Sequence, residues 1–169
     1  MSEKVSIGIL AVQGAFAEHQ AMLDGLGADT FLIRQKKDLE EAVQNGRLQG
    51  IVLPGGESTV QGKLLRDLGM SDQLKELIEA GTPVLATCAG LILLAERVSN
   101  DDRAYLKTLP VSVKRNAYGR QLGSFVTDAE IAHIGIYRMN FIRAPYIDEI
   151  LDPQVETLAI VDGLSLIHI

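Results

Sequence analysis

The chain has 169 residues, 47% of them hydrophobic and 22% charged, with a formal net charge of −6 and a mean hydropathy of +0.15. That is enough for one well-buried core, too short for two ordinary domains and too apolar for any long disordered stretch, so a single domain is expected. An acidic balance with no block of like charge excludes a nucleic-acid or anionic-membrane surface, and no run approaches the ~20 apolar residues of a membrane span.

Taken in order, short β-branched and apolar runs recur at VSIGILAV (Val5 to Val12), TFLIR (Thr30 to Arg34), GIVLP (Gly50 to Pro54) and PVLAT (Pro83 to Thr87), each bounded by turn formers. They read as strands buried on both faces. Helical spacing occupies Ala15 to Leu26, Asp38 to Asn45, Ser58 to Leu68, Ser71 to Ala80 and Leu91 to Val98. Ser58 and Ser71 are expected as N-caps, and Gly27 and Gly81 follow helix ends. Strand and helix in alternation predict βαβ units and a mostly parallel central sheet flanked by helices. From Leu106 the pattern changes to strand-like runs, LPVSVKR, GSFVTDAEI, YRMNFIRAP and VETLAIVDG. These predict extra antiparallel or mixed strands in the C-terminal half.

In an open α/β sheet, ligands bind where loops leave the carboxyl ends of the strands. Three such loops are unusual: Gln13-Gly14-Ala15, Pro54-Gly55-Gly56-Glu57-Ser58-Thr59 and Thr87-Cys88-Ala89-Gly90. Cys88 is the sole cysteine, so an internal disulfide is ruled out. Ala89 and Gly90 leave room for a sharp strand-to-helix turn, the helix that follows points its N-terminus at the sulfur, and the Ala89 N–H is a potential oxyanion donor. On spacing alone, a small buried inert thiol among Val, Leu and Ile is the better account of Cys88. Gly55 and Gly56 shift the balance, because two glycines after a buried strand can present N–H groups to developing negative charge. Arg115 and Arg143 stand near strand ends, where a guanidinium suits bidentate capture of a carboxylate or is simply a solvated charge.

Read together, AVQGAFAEH, LPGGEST, TCAGLILLA, RNAYGRQLGSF and FIRAP closely resemble the glutaminase subunits of pyridoxal 5′-phosphate synthases, which are class I, triad-type glutamine amidotransferases with a flavodoxin-like α/β fold. The resemblance runs from about Val5 to Gly163. It implies hydrolysis of L-glutamine to L-glutamate and ammonia, with Cys88 as nucleophile and the backbone N–H groups of Gly56 and Ala89 as the oxyanion hole. It also implies that Gly56, Glu57, Ser58, Arg115, Ile142 and Arg143 hold glutamine, and that Gln13 couples activity to partner binding. The implied partner is a (β/α)8 synthase subunit in a large hetero-oligomer, which receives the ammonia shielded from water. No cofactor and no metal ion enters the scheme, and a cytoplasmic location is expected, since the N-terminus lacks the pattern of a secretory signal.

The chain departs from the family pattern at its end. The family completes its triad with His-Pro-Glu, and residues 164–169, LSLIHI, contain no such motif. His19, His133 and His168 are the three histidines, and none stands in that context. Residues 164–169 are therefore expected to be truncated or non-native, and the chain as written to hydrolyse glutamine poorly. The alternatives are a catalytically silent synthase-binding or regulatory module, and a flavodoxin-like cysteine hydrolase for another amide or ester.

Overall fold

The computed structural model describes residues 4–115, 125–141, 145–161 and 164–168, in two compact units, Met1–Leu94 and Ala95–Ile169. In the first unit, strand β1 (Ser6–Leu10) is followed by α1 (Phe16–Gly25), β2 (Asp29–Ile33), α2 (Lys36–Gln44), β3 (Gly50–Leu53), α3 (Ser58–Asp67), α4 (Ser71–Glu79), β4 (Val84–Ala86) and α5 (Ala89–Leu94). The four strands form a parallel sheet in the order β2-β1-β3-β4. Ile7, Gly8 and Ile9 pair with Gly50, Ile51 and Val52, and β3 continues the ladder onto Val84, Leu85 and Ala86. This is the predicted alternation, with β1 and β3 central because their residues are apolar on both faces: Ile9, Leu10, Ile51 and Leu53 are fully buried.

The helices differ in how they attach. Leu39, Leu65 and Leu74 give α2, α3 and α4 one fully buried leucine each, and Leu93 does the same for α5. Helix α1 buries no residue, and Met22 and the adjoining Leu26 are well exposed. Helix α2 opens on Asp38, whose carboxylate accepts from the backbone N–H groups of Arg34 (2.9 Å) and Gln35 (3.1 Å). Slight burial raises its pKa, but those bonds prevail and hold the carboxyl below its ordinary value. Two expected caps differ from those found. Glu57, not Ser58, caps α3, its side chain accepting from the Thr59 N–H at 3.3 Å. Met70 occupies the N-cap position of α4, and Ser71 is already helical. In both cases the chain enters the helix one residue earlier than a serine cap requires.

The expected helix over Leu91 to Val98 is also corrected: α5 stops at Leu94, and β5 (Ala95–Val98) begins the second unit. Ala95 and Val98 are buried with Glu96 and Arg97 exposed between them, a break in strand alternation that coincides with the register shift between Ala95 and Arg97 against β6. Then come β6 (Leu109–Lys114), β7 (Phe125–Ile131), β8 (Gly135–Phe141), β9 (Tyr146–Ile150), β10 (Thr157–Val161) and β11 (Leu164–His168). β5 and β6 run parallel, while β6-β9, β9-β11 and β10-β11 are antiparallel, giving the order β10-β11-β9-β6-β5. β7 and β8 form a two-stranded antiparallel hairpin, Phe125 opposite Phe141. The change from parallel to antiparallel and mixed pairing in the second half is as the sequence predicts. Strand β9 was not legible, because three of its five residues, Asp148, Glu149 and Ile150, face solvent and the charges obscure the alternation. No helix among the described residues is long and apolar enough to cross a membrane.

Candidate active site

Strand β4 ends at Ala86, and the chain turns into α5 within two residues. Cys88, inside that turn, has φ +48°, in the left-handed region that a side-chain-bearing residue seldom occupies. Such a conformation persists only where the surroundings impose it, and they do so here through the main chain. The Thr87 N–H donates to Leu53 O at 3.0 Å, the Gly90 N–H donates to Thr87 O at 2.8 Å, and the Ile92 N–H reaches Cys88 O at 3.4 Å. Gly90 lies so close to β3 that a Cβ there would stand 2.1 Å from Leu53 O. The turn is thus pressed against the end of the central strand, and the thiol it carries is exposed. The thiol is therefore exposed on a strained strand-to-helix turn, not buried among apolar side chains.

The loop after β3 lies beside it. A Cβ placed on Gly55 would meet the Cys88 Cβ at 3.4 Å, so the Gly55 main chain runs alongside the cysteine. A Cβ on Gly56 would press on Gln13 Oε1 at 2.6 Å and lie 3.0 Å from Gly14 Cα, and its φ of +157° is one that side-chain-bearing residues rarely adopt. Gln13, in the loop after β1, accepts from the Glu57 N–H at 2.9 Å. The Ala15 N–H donates to Gly55 O at 2.9 Å, joining the same two loops. Ala89, 1% exposed, is the first residue of α5, where N–H groups have no intrahelical acceptor. Ser58 is buried, and its hydroxyl has no hydrogen-bond partner among the described residues. The Glu57 carboxylate is engaged by Thr59, whose hydroxyl donates to Oε1 at 2.8 Å.

Gln61 is a residue that the sequence pattern did not single out. Fully buried on α3, its amide donates to Gln13 O at 3.0 Å and to Pro54 O at 3.2 Å, stitching the loops after β1 and β3 together. The one signal was a glutamine on the inward face of α3, four residues before the buried Leu65. His19 on α1, to which the sequence pattern assigns no role, has its Nε2 2.9 Å from Thr87 Oγ1. Burial lowers its pKa, partly opposed by the nearby Glu18 charge, so the ring is neutral at neutral pH.

Arg115 belongs to the second unit, directly after β6. The Asn100 side chain clasps its backbone, accepting from the Arg115 N–H at 3.1 Å and donating to Arg115 O at 3.0 Å. Asp101 Oδ2 accepts from the guanidinium at 2.7 Å. Hydrogen bonds from Arg103 and then Arg115 hold the Asp101 carboxyl well below the usual carboxylate range. Ile142 and Arg143 lie outside the described residues, as does most of the RNAYGRQ motif. His133 has φ +66° and pairs with Glu156 at 2.7 Å at the exposed β7–β8 turn. His168 pairs with Thr157 in the β10–β11 ladder.

The profile of the SNO glutamine amidotransferase family matches residues 9–168. A pyridoxal 5′-phosphate synthase subunit PdxT from Desulfitobacterium hafniense is 56% identical over 157 residues, covering 93% of this chain and 76% of that protein. Proteins of the same name from Methanocorpusculum labreanum and Streptococcus pneumoniae are 51% and 49% identical over 94% of this chain and 80% of their own length. Among solved structures, one described as a glutamine amidotransferase superposes with a TM-score of 0.85 at 38% identity, over 96% of this chain and 83% of that one. A glutamine amidotransferase from Thermotoga maritima, 14% identical, shares the fold with a TM-score of 0.59 over 96% of this chain and 70% of its own.

Proposed function

This chain belongs to the SNO glutamine amidotransferase family, and from that premise we propose that it is the glutaminase subunit of a pyridoxal 5′-phosphate synthase. It hydrolyses L-glutamine to L-glutamate and ammonia, and passes the ammonia to a synthase subunit. The observation that carries the reading is the exposed Cys88 at φ +48°, held beside the Gly55 main chain at the carboxyl ends of β3 and β4. The family profile runs through both units, which supports reading residues 1–163 as one glutaminase domain.

An amide is a poor electrophile with a poor leaving group, so the site needs a strong nucleophile, charge stabilisation and a proton for departing ammonia. The Cys88 sulfur attacks the side-chain carbonyl carbon of glutamine. The oxyanion that forms is met by the N–H groups of Gly56 and Ala89, one from each loop. The C–N bond then breaks, ammonia leaves carrying the proton that the thiol gave up, and a γ-glutamyl thioester remains on Cys88. Water attacks that thioester, the C–S bond breaks, and glutamate and the free thiol are restored. Glu57 and Ser58 at the start of α3, with Arg115, Ile142 and Arg143, hold the amino-acid end of the substrate. A guanidinium already oriented by Asp101 suits its α-carboxylate. Gln13 ties its own loop to the Glu57 N–H, so a partner that moves the β1 loop alters the oxyanion segment directly. The partner is a (β/α)8 synthase subunit, the assembly a large hetero-oligomer and the compartment the cytoplasm.

The test is covalent capture of Cys88 by a glutamine-mimicking diazoketone, together with ammonia release in the presence of the synthase subunit. Capture and turnover that both disappear in Cys88→Ala support the reading. Synthase binding without capture or turnover would replace it with the silent binding module. Labelling of Cys88 by simple alkylating agents but not by the glutamine analogue would point to a hydrolase for another amide or ester.

A further inference from the structure

The elbow at Cys88 is held from three directions, and only two of them come from the main chain around it. Thr87 is the junction. Its N–H reaches Leu53 O of β3 at 3.0 Å, its carbonyl accepts from the Gly90 N–H of α5 at 2.8 Å, and its hydroxyl meets His19 Nε2 of α1 at 2.9 Å. The first two bonds fix the ends of the turn. The third fixes the side chain of the residue immediately before the one whose backbone is strained.

We propose that His19 is a positioning residue for the nucleophile, its imidazole gripping the Thr87 hydroxyl so that the Cys88 turn keeps its left-handed conformation beside Gly55. The role is indirect. Both His19 and Thr87 are half-buried, and a Cβ on Gly55 would lie 3.8 Å from Thr87 Oγ1, so the hydroxyl sits at the back of the oxyanion loop. The neutral imidazole that burial favours can accept the hydroxyl proton at Nε2, or donate to the oxygen in its other tautomer. Helix α1 has no fully buried residue; Phe16 and Leu23 are half-buried and Gln20 and Asp24 bond Thr30 of β2, whereas His19 is the side chain that ties the helix to the end of β4. The bond therefore serves both partners: it anchors α1 to the end of β4 and restrains the turn that α1 overlooks.

The proposal rests on the glutaminase reading only in its kinetic arm, and the experiment has two. In the first, amide hydrogen exchange is followed in a peptide spanning Thr87 to Leu91, in the full chain. His19→Ala and Thr87→Val should exchange there about tenfold faster than wild type, the worth of one hydrogen bond, while His19→Gln and Thr87→Ser stay near wild type because each keeps a group able to make the bond. In the second, glutamine turnover is measured in the complex with the synthase subunit. His19→Ala should lower kcat about tenfold with KM changed by less than about twofold, and His19→Gln should recover most of the rate. Wild-type exchange in His19→Ala, or a His19→Gln variant no better than His19→Ala, overturns the proposal. A wild-type complex that turns over no glutamine refutes the glutaminase reading instead, and the exchange arm then decides the positioning role by itself.

Discussion

Gly90→Ala places one methyl group where the elbow touches the central strand. The new Cβ would lie 2.1 Å from Leu53 O, 2.8 Å from Leu53 C and 2.9 Å from Leu53 Cβ. None of these is the far end of a flexible side chain. Leu53 is paired with Ala86 in the sheet and is fully buried, so the elbow rather than the strand must give, by at least roughly 1.3 Å, to reach ordinary contact. Overpacking of this kind costs about 3 kcal/mol at the upper end of its usual range. The same displacement stretches the 3.0 Å bond from the Thr87 N–H to Leu53 O beyond hydrogen-bonding distance, at about 1 kcal/mol. Alanine in place of glycine inside α5 returns about 1 kcal/mol of helix propensity. The net is a loss of about 3 kcal/mol, or a fall in Tm of about 6–12 °C for a chain of this size. Glutaminase turnover should fall about a hundredfold, since a misplacement of about 1 Å at a nucleophile has that effect. Urea and thermal unfolding read the first quantity and ammonia release the second. Gly25→Ala is the control: a Cβ there meets nothing within 4 Å, and at the end of α1 it should be neutral or stabilising by up to about 1 kcal/mol. A Gly90→Ala protein within about 0.5 kcal/mol of wild type would refute the claim that the elbow is pressed onto β3.

Gln61→Leu removes the amide that joins Gln13 O to Pro54 O, leaving two carbonyls without that donor; a loss of about 2–4 kcal/mol in urea unfolding is expected. Asp101→Asn exchanges the carboxylate that orients Arg115 for a neutral amide, and should raise the KM for glutamine about tenfold with kcat little changed, as steady-state kinetics would show. The pH dependence has a definite sign. His19 has a lowered pKa in the folded chain, so the unfolded chain binds more protons below the ordinary value of 6.5, and stability present above that pH is lost as the pH falls through it. Denaturant midpoints at pH 7.5 and at pH 5 should therefore differ less in His19→Gln than in wild type. Asp38, lowered by its bonds at the start of α2, withdraws its contribution in a lower window, as the pH falls below the ordinary carboxylate value of 3.8 towards its folded pKa; Asp38→Asn should flatten the acid limb of the unfolding profile.

Much of the fold was legible because periodicity reports local burial. β1 and β3 are apolar at nearly every position and read as central strands, and the helices between them carry inward leucines at helical spacing. The elbow was legible as a pattern, since Cys-Ala-Gly after a strand is the composition a crowded turn demands. The boundary between α5 and β5 was not, because LILLAERV is apolar at spacings that satisfy a helix as well as a strand, and only pairing with β6 decides where one ends and the other begins.

The sequence by itself determined which residues have the chemistry: one thiol, two adjacent glycines, a glutamine after β1 and an arginine after β6. It also determined the alternation of strands and helices from β1 to β4. Only the tertiary structure decided that Cys88 is exposed and left-handed rather than buried, because exposure and φ depend on what packs around the turn. It alone assigned Gln61 and His19 their contacts, across separations of 48 and 68 residues. A side-chain hydrogen bond between residues distant in the chain leaves no periodic trace in a sequence. It exists only once the sheet has brought the loops after β1, β3 and β4 to one edge.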